Sequence, residues 1–104
     1  MARKTSELAE SLTDEERVAW RALQTVPNVG PAIAHDLIRL GIRRQEDLVG
    51  RDPDQLYDAM TELDGIRHDP CVRDTFAAAV SYAETGEPIP WWHFTPERKG
   101  RTRE

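Results

Sequence analysis

No apolar run in this 104-residue chain approaches the ~20 residues that cross a bilayer, so a membrane-spanning helix is not expected. The opening Met1-Ala2-Arg3-Lys4 lacks the apolar stretch of a secretory signal. A single cysteine, Cys71, leaves no internal disulfide framework and fits a reducing cytoplasm. No segment alternates apolar and polar residues for long enough to read as a strand. An excess of positive charge is missing too: fourteen Lys and Arg face nineteen Asp and Glu, a net −5. The deficit is uneven. Residues 14–90 carry fifteen acids and eight bases, whereas the two ends together carry four acids and six bases. A partner such as DNA must therefore be met by local geometry, backbone donors or the basic tail, because a general positive field is absent.

What is present is enough for one small polar domain, with 38% hydrophobic and 32% charged residues. Residues 1–12 are polar and without sustained period, and read as a flexible lead-in. Thr13 followed by Glu16 has capping-box spacing, so a helix is expected from there to about Gln24. Its inward residues are expected to be Val18, Ala19, Ala22 and Leu23, with Trp20 at the seam. Pro27 ends it. A second helix opens on Pro31, where a missing N–H costs nothing, and presents Ile33, Leu37 and Leu40 before Gly41 stops it. Arg44 to Val49 reads as a connector helix with Leu48 inward. Asp52-Pro53 starts a helix with the stripe Leu56, Met60 and Leu63, closed by Gly65. Asp69-Pro70 repeats the device, and Val72, Phe76, Ala79, Val80 and Ala83 face inward until Gly86.

The stretch Val26-Pro27-Asn28-Val29-Gly30-Pro31 stands out chemically. A tight turn there points several backbone N–H groups ahead of a helix N-terminus, where aligned peptide dipoles favour an anion. The turn Leu63 to His68 repeats the plan but places Asp64 and Asp69 where a phosphate is repelled, so it reads as a structural copy. Pro88, Pro90 and Pro96 forbid a continuous C-terminal helix, and Trp91, Trp92 and Phe94 concentrate aromatic surface. These aromatics are expected to pack on the small core, near Trp20, with base stacking and a protein contact as the alternatives. Arg98, Lys99, Arg101 and Arg103 form a basic end.

Other clusters are weaker. Arg39, Arg43 and Arg44 either flank a duplex or complement the C-terminal dipole of their helix. His68 and Cys71, with His35 or His93, make a poor zinc set, since structural zinc takes four ligands. A Cys71–His68 nucleophile lacks a third orienting group. Asp52, Asp54, Asp58, Glu62 and Asp64 recur near helical spacing and read as solubilising charge rather than as a metal-dependent nuclease centre.

The turn Pro27-Asn28-Val29-Gly30-Pro31, with Ala34, Leu37 and Gly41-Ile42 behind it, resembles the helix-hairpin-helix motif of sequence-independent DNA-binding proteins. It is also similar to the C-terminal domain of TfoX-type competence regulators. With Leu48, Asp52-Pro53, Leu56-Tyr57, Asp69, Cys71-Val72 and Trp91-Trp92, residues 23–94 resemble the small bacterial pathogenicity-locus or mitomycin-resistance-like helix-hairpin-helix family. The resemblance implies that the amides of Asn28, Gly30, Ala32 and Ile33 meet a DNA phosphate. It also implies that carbonyls of Gln24, Val26 and Val29 can hold a monovalent cation, Na or K. Asn28 stands where glycine is commonest in such motifs, and Ala32 where a basic residue often adds a contact.

The expected fold is thus all-α: five short helices in tandem helix-hairpin-helix-like units joined by a connector helix, with an aromatic C-terminal tail. Residues 1–12 form the lead-in, 13–94 the domain and 95–104 a basic flexible tail. The expected function is a non-enzymatic, weak, sequence-independent DNA-binding module, an accessory to DNA uptake, repair or stress responses. Its contacts are the four hairpin amides and Arg44. The alternative is a protein-interaction adaptor that uses Trp91 and Trp92 and carries a degenerate hairpin that no longer binds DNA; under either reading a monomer is favoured, and the sequence does not fix the oligomeric state.

Overall fold

The computed structural model describes residues 5–96, and among these the ordered elements are all helical, with no strand. Five α-helices run in order: α1 (Thr5–Glu10), α2 (Asp14–Leu23), α3 (Pro31–Arg39), α4 (Pro53–Asp64) and α5 (Cys71–Thr85). Two 3-10 turns join them, Gln45–Leu48 and Trp91–Phe94. α2 packs on α3 and α4 on α5, so the two expected pairs are present. Gln45–Leu48 links the pairs and rests on α5, α1 lies on α3, and Trp91–Phe94 packs on α5.

Local chemistry sets the boundaries. The Thr13 hydroxyl accepts the Glu16 N–H at 3.1 Å while the Glu16 carboxylate accepts the Thr13 N–H at 3.0 Å, a complete capping box. Asp52 caps α4 by accepting the Asp54 N–H at 2.8 Å. Gly65 and Gly86 close α4 and α5 in left-handed conformation, at φ 68° and 78°.

Five helices are found, but not the five expected. The connector is a single 3-10 turn rather than an α-helix, because the Asp47 carboxylate accepts both the Arg43 and Arg44 N–H groups (3.0 and 3.1 Å) and tightens the chain. The fifth helix is α1, within the segment expected to be a flexible lead-in. Leu8 and Leu12, four apart, are buried in the core, and the Arg17 guanidinium donates to the Ala9 carbonyl at 3.0 Å. Two leucines in a polar run are enough to seat a short helix once α3 supplies the surface to cover.

Several helix faces are also rotated from expectation. Val18 is 66% exposed and Ala22 is exposed, while Trp20 and Leu23 are buried. On α3 the buried set is Ala34, His35, Leu37 and Ile38, with Ile33 and Leu40 only partly covered, because α1 and α2 both pack on this helix. On α4, Tyr57 turns inward and Leu63 outward, since the Tyr57 hydroxyl donates to the His68 carbonyl across the following turn. α5 is the pillar of the domain: Arg73, Asp74 and residues 76–80 are buried, whereas Val72 and Ala83 lie at its edges. Arg73 Nε donates to Asp54 at 2.8 Å, so one of the acids expected to be free solubilising charge instead ties α4 to α5.

Candidate functional site

The first turn descends from α2 through two tight steps. The Val26 N–H donates to the Leu23 carbonyl and the Val29 N–H to the Val26 carbonyl, each at 3.1 Å. Val26 and Val29 are buried, so apolar packing holds the turn from inside. Asn28 lies between them with φ 73°, the left-handed region that asparagine tolerates better than most residues. Trp20 Nε1–H donates to the Pro31 carbonyl at 2.9 Å and fixes the first turn of α3 against α2.

α3 begins with Gly30 as its N-cap, in extended conformation at φ −91°, and Pro31 behind it. No side chain caps this end, and its first turn holds no acid. Among the described residues the N–H groups of Asn28, Gly30, Ala32 and Ile33 have no hydrogen-bond partner. Gly30 and Ala32 are exposed, and Asn28 and Ile33 are half-buried. The other long helices close their own ends: α2 with Thr13, α4 with Asp52, and α5 with Asp69, whose carboxylate accepts the Cys71 N–H at 2.9 Å. An exposed N-terminus of this kind stabilises an anion by ~0.3–1 kcal/mol. Gln24, Val26 and Val29, expected to offer carbonyls to a cation, lie in the same turn. The Val26 carbonyl already accepts the Val29 N–H, and the Gln24 side chain donates to the Trp20 carbonyl at 3.2 Å.

Arg44 does not join this group. The nine residues of α3 separate the two, about 13 Å of helix rise. Arg44 lies instead at the rim of a shallow groove of about 630 Å³ floored by Val18, Ala19 and Ala22. Its guanidinium stands 4.0 Å from Asp47 and is largely exposed. The other two arginines are engaged. Arg43 donates to the Ile38 carbonyl at 2.6 Å and to Glu16 at 3.2 Å, and Arg39 donates to Asp64 at 2.5 Å. The Asp64 bond raises the pKa of Arg39. Asp64 is held below the usual carboxylate range, chiefly by Arg39 and then by His68, against partial desolvation. Asp47 is lowered by the two amides it accepts.

The second turn is closed on itself. His68 Nε2 lies 2.6 Å from Asp64, the Tyr57 hydroxyl holds the His68 carbonyl, and Asp69 occupies the α5 N-terminus. Asp64 also gives His68 the orienting carboxylate that spacing alone did not reveal. His35 is buried with its Nε2 2.7 Å from the Ser11 hydroxyl. Among the described residues no three His, Cys, Asp or Glu side chains gather where a metal ion would fit, so His35, His68, Cys71 and His93 do not converge.

The aromatic tail packs on α5. Trp91 and Phe94 are half-buried, Trp92 is 62% exposed, and Trp91 meets Trp92 edge-on with centroids 5.8 Å apart. Thr95 donates to Asp74 at 2.8 Å. Asn28 reaches this segment from the first turn: Nδ2 donates to the Ile89 carbonyl at 2.9 Å and Oδ1 accepts the Trp91 N–H at 3.3 Å. That side-chain role was not legible in the sequence, and its one signal was a non-glycine residue at a turn position suited to positive φ. The basic end, Arg98, Lys99, Arg101 and Arg103, lies outside the described residues.

These features define a small all-helical domain with two helix pairs, one turn open at its helix N-terminus and one sealed. Residues 16–100 match the model of the Cdd1 family, described as pathogenicity locus, and the chain belongs to that family. A mitomycin resistance protein, McrB, of Streptomyces lavendulae is 47% identical over 77 residues, which covers 74% of this chain and 73% of that protein. No solved structure matches. No helix among the described residues is long and apolar enough to cross a membrane.

Proposed function

We propose that the chain is a non-enzymatic module that takes one backbone phosphate of DNA on the open amide end of α3, weakly and without reading sequence. The supporting observation is that end itself: uncapped, free of acids, and exposed at Gly30 and Ala32, while Thr13 and Asp52 cap α2 and α4 and the Asp69 carboxylate accepts the first N–H of α5. Backbone donors need no basic side chain, so the reading is compatible with a net charge of −5. A phosphate contact positions a nucleic acid but carries no sequence information. Affinity is expected near the weak end of the ~10⁻⁴–10⁻⁶ M range of non-specific binding. The name of the Streptomyces relative adds a cellular setting to the proposal, survival in the presence of mitomycin.

Fluorescence anisotropy of a labelled duplex at low salt tests it. Binding is expected at high micromolar protein, and Gly30→Glu, which puts a carboxylate at the amides, is expected to weaken it about tenfold or more. Absence of binding at that concentration, or indifference to Gly30→Glu, removes the reading. The exposed Trp92 favours one other reading, an adaptor that docks a protein through Trp91 and Trp92. It requires DNA to be ignored and partner capture to vanish in Trp91→Ala plus Trp92→Ala.

A further inference from the structure

Glycine adopts a φ of 73° without strain, yet Asn28 occupies that position. Its carboxamide pairs with both polar backbone groups that flank Pro90, the Ile89 carbonyl and the Trp91 N–H. Pro90 has no N–H of its own to compete. A short amide that offers donor and acceptor together closes both bonds; an aspartate can only accept, and glycine does neither. The far end of the same segment is pinned by Thr95, which donates to Asp74, a carboxylate with 0% exposure on α5. Between the pins the 3-10 turn Trp91–Phe94 packs on α5, and Pro88, Pro90 and Pro96 restrict the chain that must be ordered.

We propose that residues 87–96 form a strap whose seating is coupled to the 24–30 turn through Asn28, so that releasing either end loosens both. The coupling goes beyond phosphate binding and stands without it. Its bearing on nucleic acid, that a seated strap keeps the open amides in one geometry, rests on the function proposed above.

Hydrogen–deuterium exchange of the full chain, with no nucleic acid present, tests the coupling. Asn28→Gly keeps the left-handed backbone and removes both bonds. It is expected to speed exchange in residues 87–95 about tenfold. Thr95→Val acts at the remote end and is expected to speed exchange in residues 24–33 several-fold, while Thr95→Ser restores it. Asn28→Asp, which keeps the acceptor and loses the donor, is expected to fall between wild type and Asn28→Gly. Residues 53–64 of α4 serve as the internal control and are expected to be unchanged. The proposal is overturned if Asn28→Gly leaves the strap within about twofold of wild type. It is equally overturned if Thr95→Val loosens the strap alone, or if α4 accelerates by the same factor, which signals global unfolding. Since no DNA enters the experiment, a chain that ignores duplex in the anisotropy assay still passes or fails this one.

Discussion

The two turns of this domain share a topology and differ in how they are held. The 24–30 turn is held by groups that leave its helix N-terminal amides alone: Trp20 of α2 grips the Pro31 carbonyl, buried valines anchor the inside, and Asn28 reaches the strap. The 65–70 turn is held by polar side chains that reach its helix N-terminus, with Tyr57 of α4 on His68, His68 on Asp64 and Asp69 on the α5 amide. The first set of contacts leaves the α3 N-terminus unspent, while the second consumes the α5 N-terminus. One fold thus offers an open helix end and a closed one, and the difference lies in where the carboxylates stand.

If the first turn depends on its anchor from α2, removing that anchor has the largest effect. Trp20→Ala deletes a buried indole and the bond to Pro31, and is expected to cost ~3–5 kcal/mol of unfolding free energy. A small domain has only ~5–15 kcal/mol to lose, so Trp20→Phe is the gentler companion, at about 1–2 kcal/mol for the lost donor. Urea denaturation reads both. A loss below about 1 kcal/mol for Trp20→Ala would show that the turn needs no anchor from α2.

The glycines sharpen the contrast at smaller cost. Gly65 ends α4 at φ 68°, where a Cβ meets open space but the backbone disfavours any L side chain. Gly65→Ala is expected to destabilise by ~1–2 kcal/mol. Gly30 is extended, also with open space, so Gly30→Ala is expected to lie within about 0.5 kcal/mol of wild type. Denaturation midpoints of the two variants, measured side by side, check the pair. Equal losses would mean that the sealed turn is no more conformationally constrained than the open one.

The parts of this fold that were legible in the sequence are those decided within a few residues. The Thr13–Glu16 box, the Asp52-Pro53 start and the glycine stops at 65 and 86 all fall where local chemistry puts them. Helix faces were less legible, because neighbours distant in sequence decide them. Val18 and Leu63 suit a buried stripe by spacing, yet α2 rotates to seat Trp20 and α4 rotates to seat Tyr57. Arg73 and Asp74 are charged yet buried on α5, and Asp54 and Thr95 reach them from other elements. The open amides were legible because proline, glycine and the absence of a capping side chain are local facts. The Asn28 bond to Ile89 spans 61 positions, and no local pattern announces a contact of that range.

The smallest expected loss of definite sign belongs to Asp64. Asp64 receives Arg39 from α3 and His68 from its own turn, so it is the point where the two helix pairs share a charge. Its folded pKa lies below the ordinary carboxylate value, chiefly because of the Arg39 bond. A depressed carboxylate contributes stability that is full above its unfolded pKa of about 3.9 and is lost as pH falls through the lower folded value. Asp64→Asn is therefore expected to cost about 1 kcal/mol at neutral pH and progressively less as pH falls below about 4, where the unfolded chain takes up the proton first and the folded carboxyl follows only at its lower value. The acid limb of stability becomes shallower rather than flat, because Asp47, lowered by the Arg43 and Arg44 amides, still titrates in the same direction. Thermal melts of both proteins across the acid range measure the gap between them. A gap that stays constant with pH would assign the loss at Asp64 to packing and leave the charge shared between the two pairs without energetic weight.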